Sequence, residues 1–178
     1  DSYAQVIAFI EKEHIISLPA NVPPRIIETP PFLRATTFAS MDSPGPFETG
    51  SKEAFFSVTL PDTSWTPAEI EDYMSSFTYP LIFSTVIHEA YPGHYVQFLF
   101  AQQLNDRVRQ LFYANSNVEG WAHYTEQMMA DAGFIPHGAD EKALAEYHLG
   151  QAQDALLRNA RFTVGIKLHT GAMSFADA

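Results

Sequence analysis

The chain predicts an α+β fold: a small, mostly antiparallel sheet in the first third, then a helical half containing a kinked helix. Three observations carry this. Prolines crowd the first half, between short β-prone runs; helical periodicity takes over after Thr66; and a Pro-Gly pair interrupts an otherwise apolar helix at Pro92-Gly93. With 178 residues, 46% hydrophobic and 17% charged, the chain is large enough for one globular region with its own core. We expect a single region over 1–178, β-rich over 1–65 and helical over 66–178, belonging to a longer protein.

A first helix spans about residues 3–13. Short β segments follow at 14–18 and 25–29 and longer ones at 34–40 and 54–60, with turn signals in Asp42-Ser43-Pro44-Gly45-Pro46 and Thr49-Gly50-Ser51. Thr66-Pro67-Ala68-Glu69 opens a helix with an N-cap Thr, a Pro at the first helical position and a capping-box Glu. Pro80 starts the next helix. Its run Leu81-Ile82-Phe83-Ser84-Thr85-Val86-Ile87 is apolar nearly all round, hence buried. A helix from Val118 to about Ala130 stops at Gly133 and Pro136. A long one covers about 140–168, with packed faces at Leu144, Tyr147, Leu149, Ala152, Leu156, Leu157 and Ala160.

The apolar run leads directly into His88-Glu89-Ala90-Tyr91-Pro92-Gly93-His94. Two histidines flanking a glutamate suggest a metal site, but the usual spacing is four, which puts both imidazoles on one helical face. A spacing of six displaces the second by roughly 120° on a regular helix. Pro92 and Gly93 lie where the distortion is needed: proline removes a helical hydrogen bond and clashes with the preceding turn, and glycine admits unusual backbone angles. The alternative is that Pro-Gly simply ends the helix and His94 serves elsewhere. Buried His and Glu need partners, and a metal satisfies both imidazoles at once.

Glu119, in Glu119-Gly120-Trp121-Ala122, is the candidate third ligand. It competes with a capping-box role through Ser116. Gly120 costs about 1 kcal/mol relative to Ala inside a helix, which suggests a close backbone approach there. His123, four on, is a rival ligand. Glu126, seven on, suits an acceptor orienting a ligand imidazole.

Together, His-Glu-x-x-Pro-Gly-His-x-x-Gln at residues 88–97 and Glu-Gly-Trp-Ala-x-Tyr-x-Glu at 119–126 resemble a large bacterial family of unknown function. That family stands near the gluzincin zinc metallopeptidases. Ile16-Ser17-Leu18-Pro19, Glu28-Thr29-Pro30 and the stretch from Leu157-Arg158 through Arg161 to Leu168-His169 also resemble it, so the likeness covers the whole chain. The family pattern has an aliphatic residue where His123 stands and an acidic one where Gly165 stands, so its buried Arg–carboxylate pair at that helix is not carried over.

The resemblance implies one Zn²⁺ per chain held by His88, His94 and Glu119, with Glu126 and Gln97 behind the ligands. Glu89 would be the general base in hydrolysis of a peptide or amide substrate. Oxyanion stabilisers to consider are His169, Tyr124, Arg161 and Arg158, with His169 preferred on the family pattern. In such enzymes an edge strand often lines the cleft, making residues 53–59 a candidate, against an ordinary buried strand. The remaining histidines, His14, His137 and His148, read as structural or solvated. Two other readings stay open: an inactive metallopeptidase-like binding or assembly module, and a polar cluster holding no metal.

The net charge of −11, with no basic stripe, argues against a nucleic-acid partner. The absence of cysteine excludes thiolate chemistry. No membrane span is visible, export is plausible from the resemblance, and the remaining parts of a longer parent chain are expected partners.

Overall fold

The computed structural model describes residues 2–19, 22–136 and 140–178; His137 lies outside them. The α+β layout is as the sequence predicts. The order is α1 (Ser2–Lys12), β1 (Arg25–Glu28), β2 (Ala39–Asp42), β3 (Phe55–Val58), α2 (Pro67–Ser75), α3 (Tyr79–Glu89), α4 (His94–Gln102), α5 (Arg107–Leu111), α6 (Asn115–Asp131) and α7 (Glu141–His169).

The sheet order is β1-β3-β2. β2 and β3 make the expected antiparallel pair, while β1 joins β3 in parallel, so the sheet is mixed. Residues 14–18 form no strand; Ile15, Ile16 and Leu18 pack on the core without a ladder partner. Residues 31–36 form turns, with Leu33 N–H donating to Pro30 O and Thr36 N–H to Leu33 O, so β2 begins only at Ala39. β3 occupies the middle of the sheet with both edges paired, which removes residues 53–59 as a cleft strand.

In the helical half, α3 touches α1, α4, α6, α7 and β2. Phe83 and Ile87 of α3 are fully buried and join Val6, Ile10, Tyr91, Tyr95, Met129, Phe134 and Tyr147 in one core. The Thr66 capping box at α2 forms as expected, Glu69 N–H donating to Thr66 Oγ1 at 3.3 Å and Thr66 N–H to the Glu69 carboxylate at 2.7 Å. α7 is shallower than its pattern suggests. Tyr147, Gly150 and Gln151 are buried, but Leu149, Leu156 and Leu157 are exposed. It meets α3 where Gly150 passes Pro80 so closely that a Cβ would lie 2.8 Å from the Pro80 Cβ.

The expected kink is a complete break. α3 ends at Glu89, the peptide Tyr91-Pro92 is cis, and α4 starts at His94. Gly93 N–H donates to Ile87 O at 3.0 Å. A Cβ on Gly93 would sit 1.8 Å from the His88 carbonyl oxygen and 2.4 Å from that of Ile87. Both contacts are backbone, so no side chain can swing aside. Gly93→Ala is expected to lower stability by about 3 kcal/mol, the upper part of the range for overpacking. A urea midpoint within error of the native value would refute this close approach.

Candidate metal centre

Three side chains meet across the break. His88 closes α3, His94 opens α4, and Glu119 projects from the first turns of α6. The Nε2 atoms of His88 and His94 each lie 3.7 Å from Glu119 Oε2. The two rings are perpendicular, with centroids 4.7 Å apart. One donor atom from each residue falls within 4.8 Å of the others. Ligand atoms of a tetrahedral zinc stand roughly 3.3 Å apart, given bonds of about 2.0–2.1 Å. The donor set therefore fits a metal ion with small adjustment. Sequence spacing displaced His94 from His88; the break returns it.

Glu119 is free for this role because the rival capping box does not form. α6 begins at Asn115 behind an Ala114 cap with no side-chain bond, which puts Ser116 inside the first turn. Gly120 meets nothing within 4 Å of a would-be Cβ, so the expected close approach is absent there and belongs to Gly93 instead. Trp121 of the same motif has a role its sequence did not disclose. Its Nε1–H donates to Pro92 O at 2.9 Å, tying α6 to the turn between the two histidines.

Behind His88 lies Glu126, fully buried. Its Oε1 is 2.6 Å from His88 Nδ1, and its Oε2 accepts from Ser84 Oγ at 3.3 Å. A carboxylate at that distance accepts a hydrogen bond from Nδ1–H, which leaves the Nε2 lone pair facing Glu119. The Arg158 guanidinium closes the group, 2.9 Å from Oε2 through Nη1 and 2.8 Å from Oε1 through Nη2. An Arg–carboxylate pair thus does exist here, with Glu126 as its acid and no need of one at Gly165. Asp154, one turn before Arg158, hydrogen-bonds Ser84, and burial raises its carboxyl pKa.

Around the three ligands runs a cleft lined by Ala39, Ser40 and Met41 of β2, by Glu89 and Phe98, and by Tyr113, Asn115 and Val118. The phase of the β2–β3 ladder explains the β2 wall. Thr59 N–H donates to Phe38 O, so Phe38, Ser40 and Asp42 face β3, and Ala39 and Met41 turn their backbone groups to the open edge. The Met41 N–H hydrogen-bonds the Glu89 carboxylate. Burial raises the pKa of Glu89 above the usual carboxylate value, and Glu119 pushes the same way; nearby His88, the Met41 N–H and Arg158 oppose this.

The other predicted residues fall elsewhere. His169 is exposed at the end of α7, its Nδ1 2.8 Å from Gly165 O of its own helix. Arg161 is exposed, and Tyr124 is exposed beside Trp121. None of the three lines the cleft. His123 turns to Glu126 and Arg158 and joins no ligand group. Gln97 does not reach His94: its Oε1 and His94 Nδ1 are both buried without a hydrogen-bond partner. Phe98 stacks on the His94 ring instead, 5.8 Å away at 9°. Helical spacing counts residues along one face, which is why Glu126 was legible and Phe98 and Trp121 were not.

The model of a family described as a bacterial protein of unknown function matches residues 1–178. This chain belongs to the DUF885 family. A candidate lipoprotein of unknown function from Shewanella oneidensis superposes with a TM-score of 0.61 at 31% identity, over 74% of this chain and 22% of its own length. A candidate lipoprotein from Colwellia psychrerythraea gives 0.68 at 22% identity, over 96% of this chain and 27% of its own; at that identity the likeness concerns the fold alone. This DUF885 chain thus spans about a quarter of the length of either structure. No curated protein matches it.

Two expectations follow. Chains purified without added metal should carry about one divalent ion each, by plasma mass spectrometry. His94→Ala should abolish this and His123→Ala should preserve it; the reverse pattern would replace His94 by His123 as ligand. The second concerns the metal-free chain. Burial, and the nearby His88, push the His94 pKa down to about 4 from its ordinary 6.5. Between those values the unfolded chain binds the proton and the folded one does not, so stability rises with pH across the window and falls as pH drops toward 4. Glu89, with its raised pKa, has the opposite sign. The informative quantity is therefore the difference in urea midpoint between native and His94→Gln chains, which should shrink from pH 7 to pH 4.5. A constant difference would mean that His94 is not held neutral by its surroundings.

Proposed function

We propose that this chain carries the metal site of a zinc-dependent hydrolase that cleaves peptide or amide bonds, in the manner of gluzincin metallopeptidases. The observation that carries the reading is the meeting of His88, His94 and Glu119 beside a fourth group, Glu89, which lines the same cleft without joining the ligand set. Two imidazoles and one carboxylate are a donor set that catalytic zinc uses while keeping a position open. When bound, zinc would supply a Lewis acid for the scissile carbonyl and a water acidified toward a pKa of about 7.

The chain's own groups do the rest. Glu126 holds the Nδ1 proton of His88 and so keeps Nε2 available. Glu89 removes a proton from the attacking water and delivers it to the leaving amine; burial, which raises its pKa, makes it a stronger base than an exposed carboxylate. The Met41 N–H keeps its carboxylate aimed. At the edge of β2 beside the ligands the Ala39 C=O accepts from Thr37 Oγ1 and the Met41 N–H is turned to Glu89, which leaves the Ala39 N–H and the Met41 C=O for an extended peptide along that strand. Tyr113 and Asn115 are the uncharged polar side chains of the α5–α6 wall, and they take the transition-state role first considered for His169, Tyr124 and Arg161.

An exported setting belongs to the same proposal. It is supported by the candidate-lipoprotein description of the Shewanella oneidensis structure. Among the described residues no helix is long and apolar enough to cross a membrane.

The test is Glu89→Gln in the zinc-loaded chain, assayed on a mixed panel of peptides and amides. Hydrolysis should fall by about 10²–10⁴-fold, the range for loss of a general base, with zinc content unchanged. Undiminished turnover would rule out Glu89 as the base. Zinc binding with no turnover by the native chain on any substrate would favour a metal-dependent binding or assembly module.

A further inference from the structure

The geometry points to Arg158 as a positioning residue for the metal site, one that sets metal affinity through Glu126 without touching the ion. This rests on the metal-binding part of the reading above and not on hydrolysis.

The argument begins with what surrounds Glu126. Oε1 faces His88 Nδ1 at 2.6 Å and Arg158 Nη2 at 2.8 Å; Oε2 faces Arg158 Nη1 at 2.9 Å and Ser84 Oγ at 3.3 Å. A carboxylate has about four acceptor positions, and here a neighbour stands at each. Arg158 supplies two of the four. Its planar fork spans both oxygens, which fixes the carboxylate in rotation as well as in place. The arginine side chain is itself mostly covered, 26% exposed, while Glu126 has no exposure at all.

That clamp decides which atom of His88 carries the proton. Nδ1 has two neighbours that pull in opposite directions: Glu126 Oε1 at 2.6 Å can only accept, and Arg158 Nη2 at 3.3 Å can only donate. Were Nδ1 to accept from Arg158, a neutral ring would carry its proton on Nε2 and could not ligate. Arg158 Nη1 donates to Oε2 while Nη2 stands 2.8 Å from Oε1, so the guanidinium holds the carboxylate at the shorter distance from Nδ1, which favours the proton on Nδ1 and leaves Nε2 unprotonated. Without the arginine, the buried carboxylate loses its two-point support and the ring loses a fixed partner. The ligand's orientation should loosen even though every ligand remains.

The same contacts are compatible with an ion pair that merely holds α7 against α6, so the experiment must separate the two. Zinc dissociation constants would be measured by competition with a chromophoric chelator for the native chain, Arg158→Met, Arg158→Lys, Glu126→Gln and the Met/Gln double variant. The visible spectrum of each Co²⁺-substituted form and the melting temperature of each metal-free form accompany them. We expect Arg158→Met to weaken zinc by about 10- to 100-fold, the range for outer partners of metal ligands, and to alter the Co²⁺ spectrum. Arg158→Lys, which keeps the charge but not the fork, should fall between Met and native; it also carries the test if the Met variant fails to fold. The double variant should bind no more weakly than Glu126→Gln alone, because both changes break one chain of contacts.

A lower melting temperature with zinc affinity within threefold of native and an unchanged Co²⁺ spectrum would reduce Arg158 to a structural pair and overturn the inference. Additive losses in the double variant would overturn its route through Glu126. A native chain that binds no zinc would overturn it together with the metal site. Zinc binding without detectable hydrolysis would leave it standing while the catalytic reading fell.

Discussion

The candidate metal centre depends on one backbone passing another at Gly93. A regular helix through residues 88–94 would point the two imidazoles apart, and no movement of side chains could reunite them. The chain instead stops α3 at Glu89, turns through four residues and restarts at His94. Three contacts hold that turn. Gly93 N–H donates to Ile87 O, Tyr91 is buried to 2% exposure against Tyr3 and Tyr95, and Trp121 donates to Pro92 O. The last also fixes α6, so the element that supplies Glu119 is latched to the turn that presents the histidines. Ligand geometry and helix packing are thus set by the same few bonds.

Around this turn, a buried charge organises the helical half. A carboxylate with no exposure is tolerated only when paired and hydrogen-bonded. Glu126 meets that demand by drawing on three helices at once: Ser84 and His88 from α3, its own α6, and Arg158 from α7. An apolar residue of equal volume would serve packing as well or better. The arrangement makes sense when one of the paired groups must stay aligned for another purpose, and His88 is that group.

Local chemistry explains what the sequence disclosed. The Thr66 cap, the Asp140 start of α7, the burial of Phe83 and Ile87, and the placing of Glu126 on the Glu119 face of α6 all follow from spacing along a single element. The misreadings come from contacts between elements. Residues 34–40 are β-prone, but Pro30 and Pro31 begin a series of turns that delays β2 to Ala39. Leu149, Leu156 and Leu157 suit a buried helix, yet among the described residues α7 packs against α3 and α6 and leaves these leucines exposed. His169 resembled a family residue by position, but its place at the free end of α7 leaves it bonding to its own backbone. Tyr113 and Asn115 carried no signal, since a tyrosine and an asparagine between helices have no period; only the fold of the α5–α6 segment brings them to the cleft.

The three candidate ligands are unequal in exposure. His88 and His94 are buried, whereas the Glu119 side chain is 68% exposed. Buried imidazoles, held by Glu126 on one side and by stacking on Phe98 on the other, fix position; the exposed carboxylate contributes charge and faces solvent. Two neutral imidazoles and one carboxylate would leave a bound divalent ion with one unit of positive charge. Glu89 lies beside that charge in a pocket whose burial favours its protonated form. The two influences oppose each other: the ion draws Glu89 toward its ionised state and desolvation draws it back. A group under both influences could accept a proton and release it again, as the general base proposed above requires.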